Sequence, residues 1–175
     1  PDVMTEEVTV GGIIERTTEK TVLEGTPVIL YAGPATGWTN DFLWDNGTKE
    51  SVVIIPALME SRTYTCQYAN QSGAVSESRF VLNVVPAQQT VNGKLANEAT
   101  LLPGSRAELK LVVPSFANTA DITWDNGTTG ATCVVPSLME DTQDTATYQG
   151  VAYSFMLHVM GGGAYPVDAT SLIVN

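Results

Sequence analysis

Cysteine is scarce in this chain of 175 residues: Cys66 and Cys133 are the only two. That is too few for a disulfide framework and too few for a structural zinc site. Basic residues are scarce as well. Eight Lys and Arg stand against 19 Asp and Glu, and the formal charge of −11 argues against duty on nucleic acid or on anionic lipid, both of which need a basic face. No apolar run of about 18 residues or more occurs, so no helical membrane span is expected. Pro1-Asp2-Val3-Met4 opens directly into polar and acidic sequence with no signal-peptide pattern, so an exported protein is expected here in its processed form. There is one histidine and no Gly-x-Ser-x-Gly, which leaves nucleophilic catalysis without its usual parts. What remains is a chain with 43% hydrophobic residues, enough for a core, and only 15% charged residues. Thr, Ser, Asn and Val are plentiful, a composition that suits strands and turns.

The chain repeats itself. Trp44-Asp45-Asn46-Gly47-Thr48 recurs as Trp124-Asp125-Asn126-Gly127-Thr128, and Pro56-Ala57-Leu58-Met59-Glu60 as Pro136-Ser137-Leu138-Met139-Glu140, both at an offset of 80. Upstream, Leu23-Glu24-Gly25-Thr26 matches Leu102-Pro103-Gly104-Ser105. Downstream, Thr63-Tyr64 matches Thr147-Tyr148 at an offset of 84, which implies about four extra residues before the second tyrosine. A unit of roughly 80 to 90 residues has the size of a small sandwich domain. Val84-Val85-Pro86-Ala87 marks the boundary, so the expected domains are 1–86 and 87–175, joined by a linker short enough to favour a fixed angle.

Strands are expected throughout. In the first unit they cover Thr26 to Ala32, Asp41 to Asp45, Ser51 to Ile55, Thr63 to Tyr68 and Ser78 to Val85. Asn46-Gly47 and Asn126-Gly127 are expected to form type I′ hairpin turns, with positive φ at both central residues. No helical apolar period with caps is present, so the expected class is all-β, a sandwich or a barrel.

Trp44 and Trp124, each in the third strand of its unit, and the stretches Glu60-Ser61-Arg62-Thr63-Tyr64-Thr65-Cys66 and Asp144-Thr145-Ala146-Thr147-Tyr148 resemble immunoglobulin domains. The resemblance covers most of both halves. It implies two tandem immunoglobulin-like β-sandwich domains, each with a tryptophan in its core and a tyrosine corner near the start of its sixth strand. The departures are in the cysteines. Pro27-Val28-Ile29-Leu30-Tyr31 offers no partner for Cys66, the second unit has Gly150 at the corresponding place, and Cys133 aligns with Val53. Both cysteines are therefore expected to be buried free thiols. The order of Trp, a Gly-Thr turn, a β-branched strand ending in Pro, and Thr-Tyr resembles the immunoglobulin-like modules of surface and secreted proteins in Bacteroidetes-type bacteria. That resemblance implies an adhesion or spacer role at the cell surface, in the periplasm or outside the cell.

Several residues are candidates for function, each with a structural alternative. Trp38 lies in a Gly-Pro-rich loop where its repeat partner is Asn118; it could stack on a sugar or anchor a partner protein, or it could cap the sandwich end. Tyr165, after Gly161-Gly162-Gly163, is a second ligand-binding candidate, or part of a flexible turn. The acidic residues Glu6-Glu7, Glu15 and Glu24, and above all Glu140-Asp141-Thr142-Gln143-Asp144, offer oxygen ligands for calcium or form solvated loops. His158 is either a plain strand residue or half of a catalytic pair, and the phase of its strand is ambiguous, since Tyr148 and Phe155 cannot both face inward without a bulge. Asn46, Asn70 and Asn126 match the glycosylation pattern or serve as turn residues.

The expected function is a non-enzymatic cell-surface or secreted module that binds a protein or glycan, or acts as a spacer, without a cofactor and as a monomer. A carbohydrate-binding accessory module of a polysaccharide-utilisation system is the alternative. A strand-donating fibre subunit, with Val8 to Ile14 as a loose edge strand, is a third reading.

Overall fold

Short turns that only certain residues tolerate set the strand order. Gly11-Gly12 (φ 60° and 79°) and Asn92-Gly93 (φ 50° and 83°) have positive φ at both positions, the geometry that folds a chain directly back on itself. They open two copies of one plan in a computed structural model that describes residues 4–34, 41–69 and 73–161. The chain divides into two compact units, one of Pro1–Pro86 with Gln149–Val151 and one of Ala87–Tyr148 with Ala152–Asn175.

In the first unit, β1 (Met4–Val10) turns through Gly11-Gly12 into β2 (Ile13–Glu15), followed by β3 (Glu19–Leu23), β4 (Thr26–Pro34), β5 (Phe42–Trp44), β6 (Val52–Leu58), β7 (Arg62–Ala69) and β8 (Val75–Val85). One sheet has the order β2-β1-β4-β6 and is antiparallel throughout. The other has the order β3-β8-β7-β5, with β3 parallel to β8. The second unit repeats this strand for strand with β9 (Gln88–Val91), β10 (Lys94–Leu95), β11 (Glu98–Leu101), β12 (Ser105–Val112), β13 (Thr123–Trp124), β14 (Thr132–Leu138), β15 (Thr142–Tyr148) and β16 (Val151–Val159). Its sheets are β10-β9-β12-β14 and β11-β16-β15-β13, and β11 again runs parallel to β16. The fold is all-β, two tandem immunoglobulin-like sandwiches, as the two identical strand orders define it. β1 lies inside its sheet between β2 and β4, so of the segment Val8 to Ile14 only Ile13 and Ile14, in β2, stand on the sheet edge, and they are paired to β1.

Each sandwich closes around a tryptophan. Trp44 is 1% exposed and Trp124 3%. Trp44 stacks on Phe80 at 5.6 Å between centroids, and Trp124 packs on Phe155 at 5.4 Å. The indole N–H cannot be left unsatisfied in such a place. It donates to the Glu50 carbonyl at 2.7 Å in one unit and to the Gly130 carbonyl at 2.8 Å in the other.

The Asn-Gly turns differ from expectation. Gly47 donates to the Trp44 carbonyl at 2.9 Å and Trp44 to the Thr48 carbonyl at 2.8 Å, and of the Asn-Gly pair only Gly47 has positive φ. This is a type I turn closed by a glycine bulge, with Asn46 Oδ1 accepting from the Thr48 N–H at 3.0 Å. Gly127 repeats it with the same distances. Neither turn is a hairpin within one sheet, because β5 and β6 belong to different sheets, as do β13 and β14.

The register of the repeat also corrects the sequence reading. Trp44 faces Cys66 across β5 and β7, and Trp124 faces Ala146 across β13 and β15, so the offset of 80 continues unbroken through the sixth strand. No insertion precedes the tyrosine. Tyr148 corresponds to Tyr68, Ala146 and not Gly150 corresponds to Cys66, and Asp144 stands where the first unit has Tyr64. The difference in length falls in the next hairpin. There Gln149 (φ 47°) and Gly150 (φ 86°) turn the chain, and Tyr148 and Phe155, on the separate strands β15 and β16, are both buried.

Candidate interaction face

An antiparallel sheet with one face on the core normally alternates apolar and polar residues. β12 does so: Ala107, Leu109 and Leu111 are buried, while Glu108 and Lys110 lie between them. β4 does not. Val28, Leu30 and Ala32 are buried, yet the intervening positions are Ile29 and Tyr31. β6 behaves likewise, with Val53 and Ile55 buried and Ile54 70% exposed.

The register collects these outward residues. Ile14 pairs with Thr9, Thr9 with Ile29, and Ile29 with Ile54, a row that crosses all four strands of the sheet. Ile14 is 61% exposed and Ile29 38%. The next row holds Glu7, Tyr31 and Val52. Tyr31 runs along its own strand over Gly33, where a Cβ would come within 2.6 Å of the tyrosine oxygen, so glycine is what lets the ring lie flat there. The matching rows of the second unit pair Glu108 with Val134, and Thr90 with Lys110 and Lys110 with Thr132. The first outer face sets Ile14, Ile29 and Ile54 in one row, whereas the second mixes Glu108 and Lys110 with the exposed Leu95, Val112 and Val134.

β6 ends its sheet, and no strand among the described residues pairs with its far side. The Ala32 N–H donates to the Ser51 carbonyl at 3.0 Å. By antiparallel alternation Val53 and Ile55 then bond to β4, while Val52 and Ile54 turn their N–H and C=O groups outward. From Ser51 to Leu58 no residue is charged. An open cleft of about 320 Å³ adjoins the end of the strand, with Leu58, Met59, Arg62 and Tyr64 among its lining. The Arg62 guanidinium sits 4.1 Å over the Tyr64 ring and 3.3 Å from Asp45.

The residues singled out from the sequence have other places. Trp38 and Tyr165 lie outside the described residues, as does Asn70. Asn118, the repeat partner of Trp38, accepts from the Ala120 N–H at 3.0 Å and caps a short 3-10 turn over Thr119–Asp121. Among the described residues no three of His, Cys, Asp and Glu are grouped to hold a metal. Asp141 Oδ1 accepts from the Val159 N–H at 2.8 Å, the bond that Ser61 Oγ makes to the Val84 N–H in the first unit, also at 2.8 Å. That bond, with the His158 contact behind it, holds the Asp141 carboxyl below its usual range. Asp144 is 7% exposed, and its Oδ2 has no hydrogen-bond partner among the described residues. Burial, aided by the Asp125 charge, pushes its carboxyl up.

His158 is joined to Glu98 (Nε2 to Oε2, 2.6 Å) and to Asp141 (Nδ1 to Oδ2, 3.4 Å), a surface clamp between β11, β16 and the turn before β15. These two carboxylates, Glu98 foremost, raise its pKa. No nucleophile stands in the clamp. Cys66 and Cys133 are free and buried; burial pushes the Cys66 thiol up to about 11 and also raises Cys133, so neither is poised as a thiolate.

No protein-family model matches the sequence, and no curated protein matches it. Among solved structures 114 chains match. The N-terminal eight Ig domains of Down syndrome cell adhesion molecule align over 90% of this chain and 27% of that one, at 17% identity and a TM-score of 0.36. The insect immune protein hemolin aligns over 82% and 44%, at 14% identity and 0.37. The titin domains z1z2, in complex with telethonin, align over 88% and 96%, at 14% identity and 0.31. The chain thus spans about a quarter of the first and less than half of the second, and at such scores the fold assignment rests on its own strand order.

Proposed function

We propose that the chain is a non-enzymatic binding module of a cell-surface or secreted protein, and that its first unit docks a protein partner through the outer face of the β2-β1-β4-β6 sheet. The observation that carries this reading is the exposed row Ile14, Ile29 and Ile54. Isoleucines exposed in one row on three of the four strands are costly to leave in water, and the second unit, on the same frame, breaks its exposed Leu95, Val112 and Val134 with Glu108 and Lys110. The second unit serves as a spacer. Trp38 and Tyr165 are proposed as additional ligand contacts, and a bacterial source is proposed on the resemblance of the repeat motif alone.

The test is binding of the purified chain to a panel of extracellular-matrix proteins and to a glycan array, with Ile54→Lys and Trp38→Ala beside the wild type. Protein binding that falls at least about tenfold in Ile54→Lys supports the face. Binding indifferent to Ile54→Lys overturns it, and a glycan signal lost only in Trp38→Ala transfers the function to the carbohydrate reading.

A further inference from the structure

The partner of an exposed sheet edge must supply a strand, and the β6 edge is specific about which strand fits. Its free backbone groups belong to Val52 and Ile54, and the next outward residue, Pro56, has no N–H. On the other side the Glu50 carbonyl is already taken by the Trp44 indole at 2.7 Å. Two residues, each with a free donor and acceptor, are therefore bounded at both ends. An antiparallel pairing that uses both and wastes neither sets Val52 against Ile54, which is a pairing the strand can make with itself.

We propose that the occupant of this edge is a second copy of the chain, joined antiparallel about a two-fold axis at Val53, with Val52 and Ile54 of each copy exchanging hydrogen bonds with Ile54 and Val52 of the other. The proposal rests on the reading of the aliphatic face as an interaction surface and names its partner. Two observations favour a second copy. The register is self-complementary, as a two-fold interface requires. The uncharged stretch Ser51 to Leu58 lets two chains of charge −11 meet without setting like charges against each other. The aliphatic row then continues across the axis, with Ile29 and Ile54 of one copy followed by Val52 and Tyr31 of the second. β14 has the same edge with Pro136 in the same place, but its rows run into Glu108 and Lys110, which makes it an internal control.

Sedimentation equilibrium of the full chain from about 10 μM to about 1 mM tests the proposal. A reversible monomer–dimer equilibrium is expected, with its midpoint raised at least tenfold by Ile54→Lys, raised less by Ile54→Thr, and unmoved by Val134→Lys. Ile54→Thr keeps a β-branched residue at an exposed site and guards against a folding defect. A wild type that stays monomeric throughout, or a dimer that survives Ile54→Lys, overturns the proposal. A monomeric chain that still binds a panel protein through Ile54 loses the second copy and keeps the face.

Discussion

Ile29 in the first unit and Glu108 in the second hold the same position on the same strand, Ile29 across from β6 and Glu108 across from β14. Around them the frames agree closely. The Trp44 and Trp124 N–H bonds differ by 0.1 Å, and β4 and β12 both carry a bulge after their first residue. The core positions are held by packing, where a change of one methylene is felt, whereas the outward positions are free to change with the surroundings. The cores exchange one buried residue for another, as Val28 for Ala107 and Cys66 for Ala146, whereas the outward row exchanges an isoleucine, Ile29, for a charge, Glu108.

The largest expected effect tests the shared frame. Trp44→Ala and Trp124→Ala should each destabilise their own unit by about 3–5 kcal/mol, read by denaturant unfolding, because both remove a buried ring and leave a cavity. Equal costs would confirm that the two cores are equivalent; a cost below about 1 kcal/mol in either would break the comparison.

Asp144 sharpens it at a core position where the first unit has an aromatic ring, Tyr64, and the second a carboxyl. Its pKa is raised by burial, so the folded state binds the proton more tightly than the unfolded chain, and ionisation at neutral pH costs stability. Asp144→Asn should raise stability by about 1 kcal/mol at pH 7. The gain should fade as pH falls through the raised value of the folded state and vanish below the ordinary carboxylate range. A pH-independent gain in a urea series would remove the titration from the explanation.

The smallest effect concerns the clamp. In the first unit Asn83 and Ser61 stand where the second has His158 and Asp141. His158 is raised by Glu98 and then Asp141, so its stabilisation is present below the ordinary histidine value of about 6.5, while the carboxylates stay ionised, and is lost as pH rises through the raised folded value. The stability difference between wild type and His158→Gln should shrink across that rise. Proton NMR of the His158 ring checks the titration directly, and an unshifted midpoint would dissolve the clamp.

Much of the frame was legible in the residues. The Trp-Asp-Asn-Gly-Thr repeat, the β-branched runs and the cysteine-poor second strand led to strands where strands are found. The sixth strand was misaligned because Thr-Tyr occurs in both units, at Tyr64 and at Tyr148, and a two-residue match says nothing about which strand neighbour it faces. Only the pairing of Trp124 with Ala146 reveals that Tyr148 answers to Tyr68. The aliphatic face had a signal that went unused, the unbroken apolar run Val28-Ile29-Leu30-Tyr31 against the alternating Ala107-Glu108-Leu109-Lys110.

By itself the sequence determined the class of fold, the number of units and the buried tryptophans, since periodicity, turn chemistry and self-similarity are local properties that act before any distant contact forms. Tertiary structure alone decided the sheet order, the inner place of β1, the substitution of Asp144 for Tyr64, and the assembly of Ile14, Ile29 and Ile54 into one row. Those depend on cross-strand register, which joins residues far apart in the chain through backbone hydrogen bonds that carry no mark in the side chains.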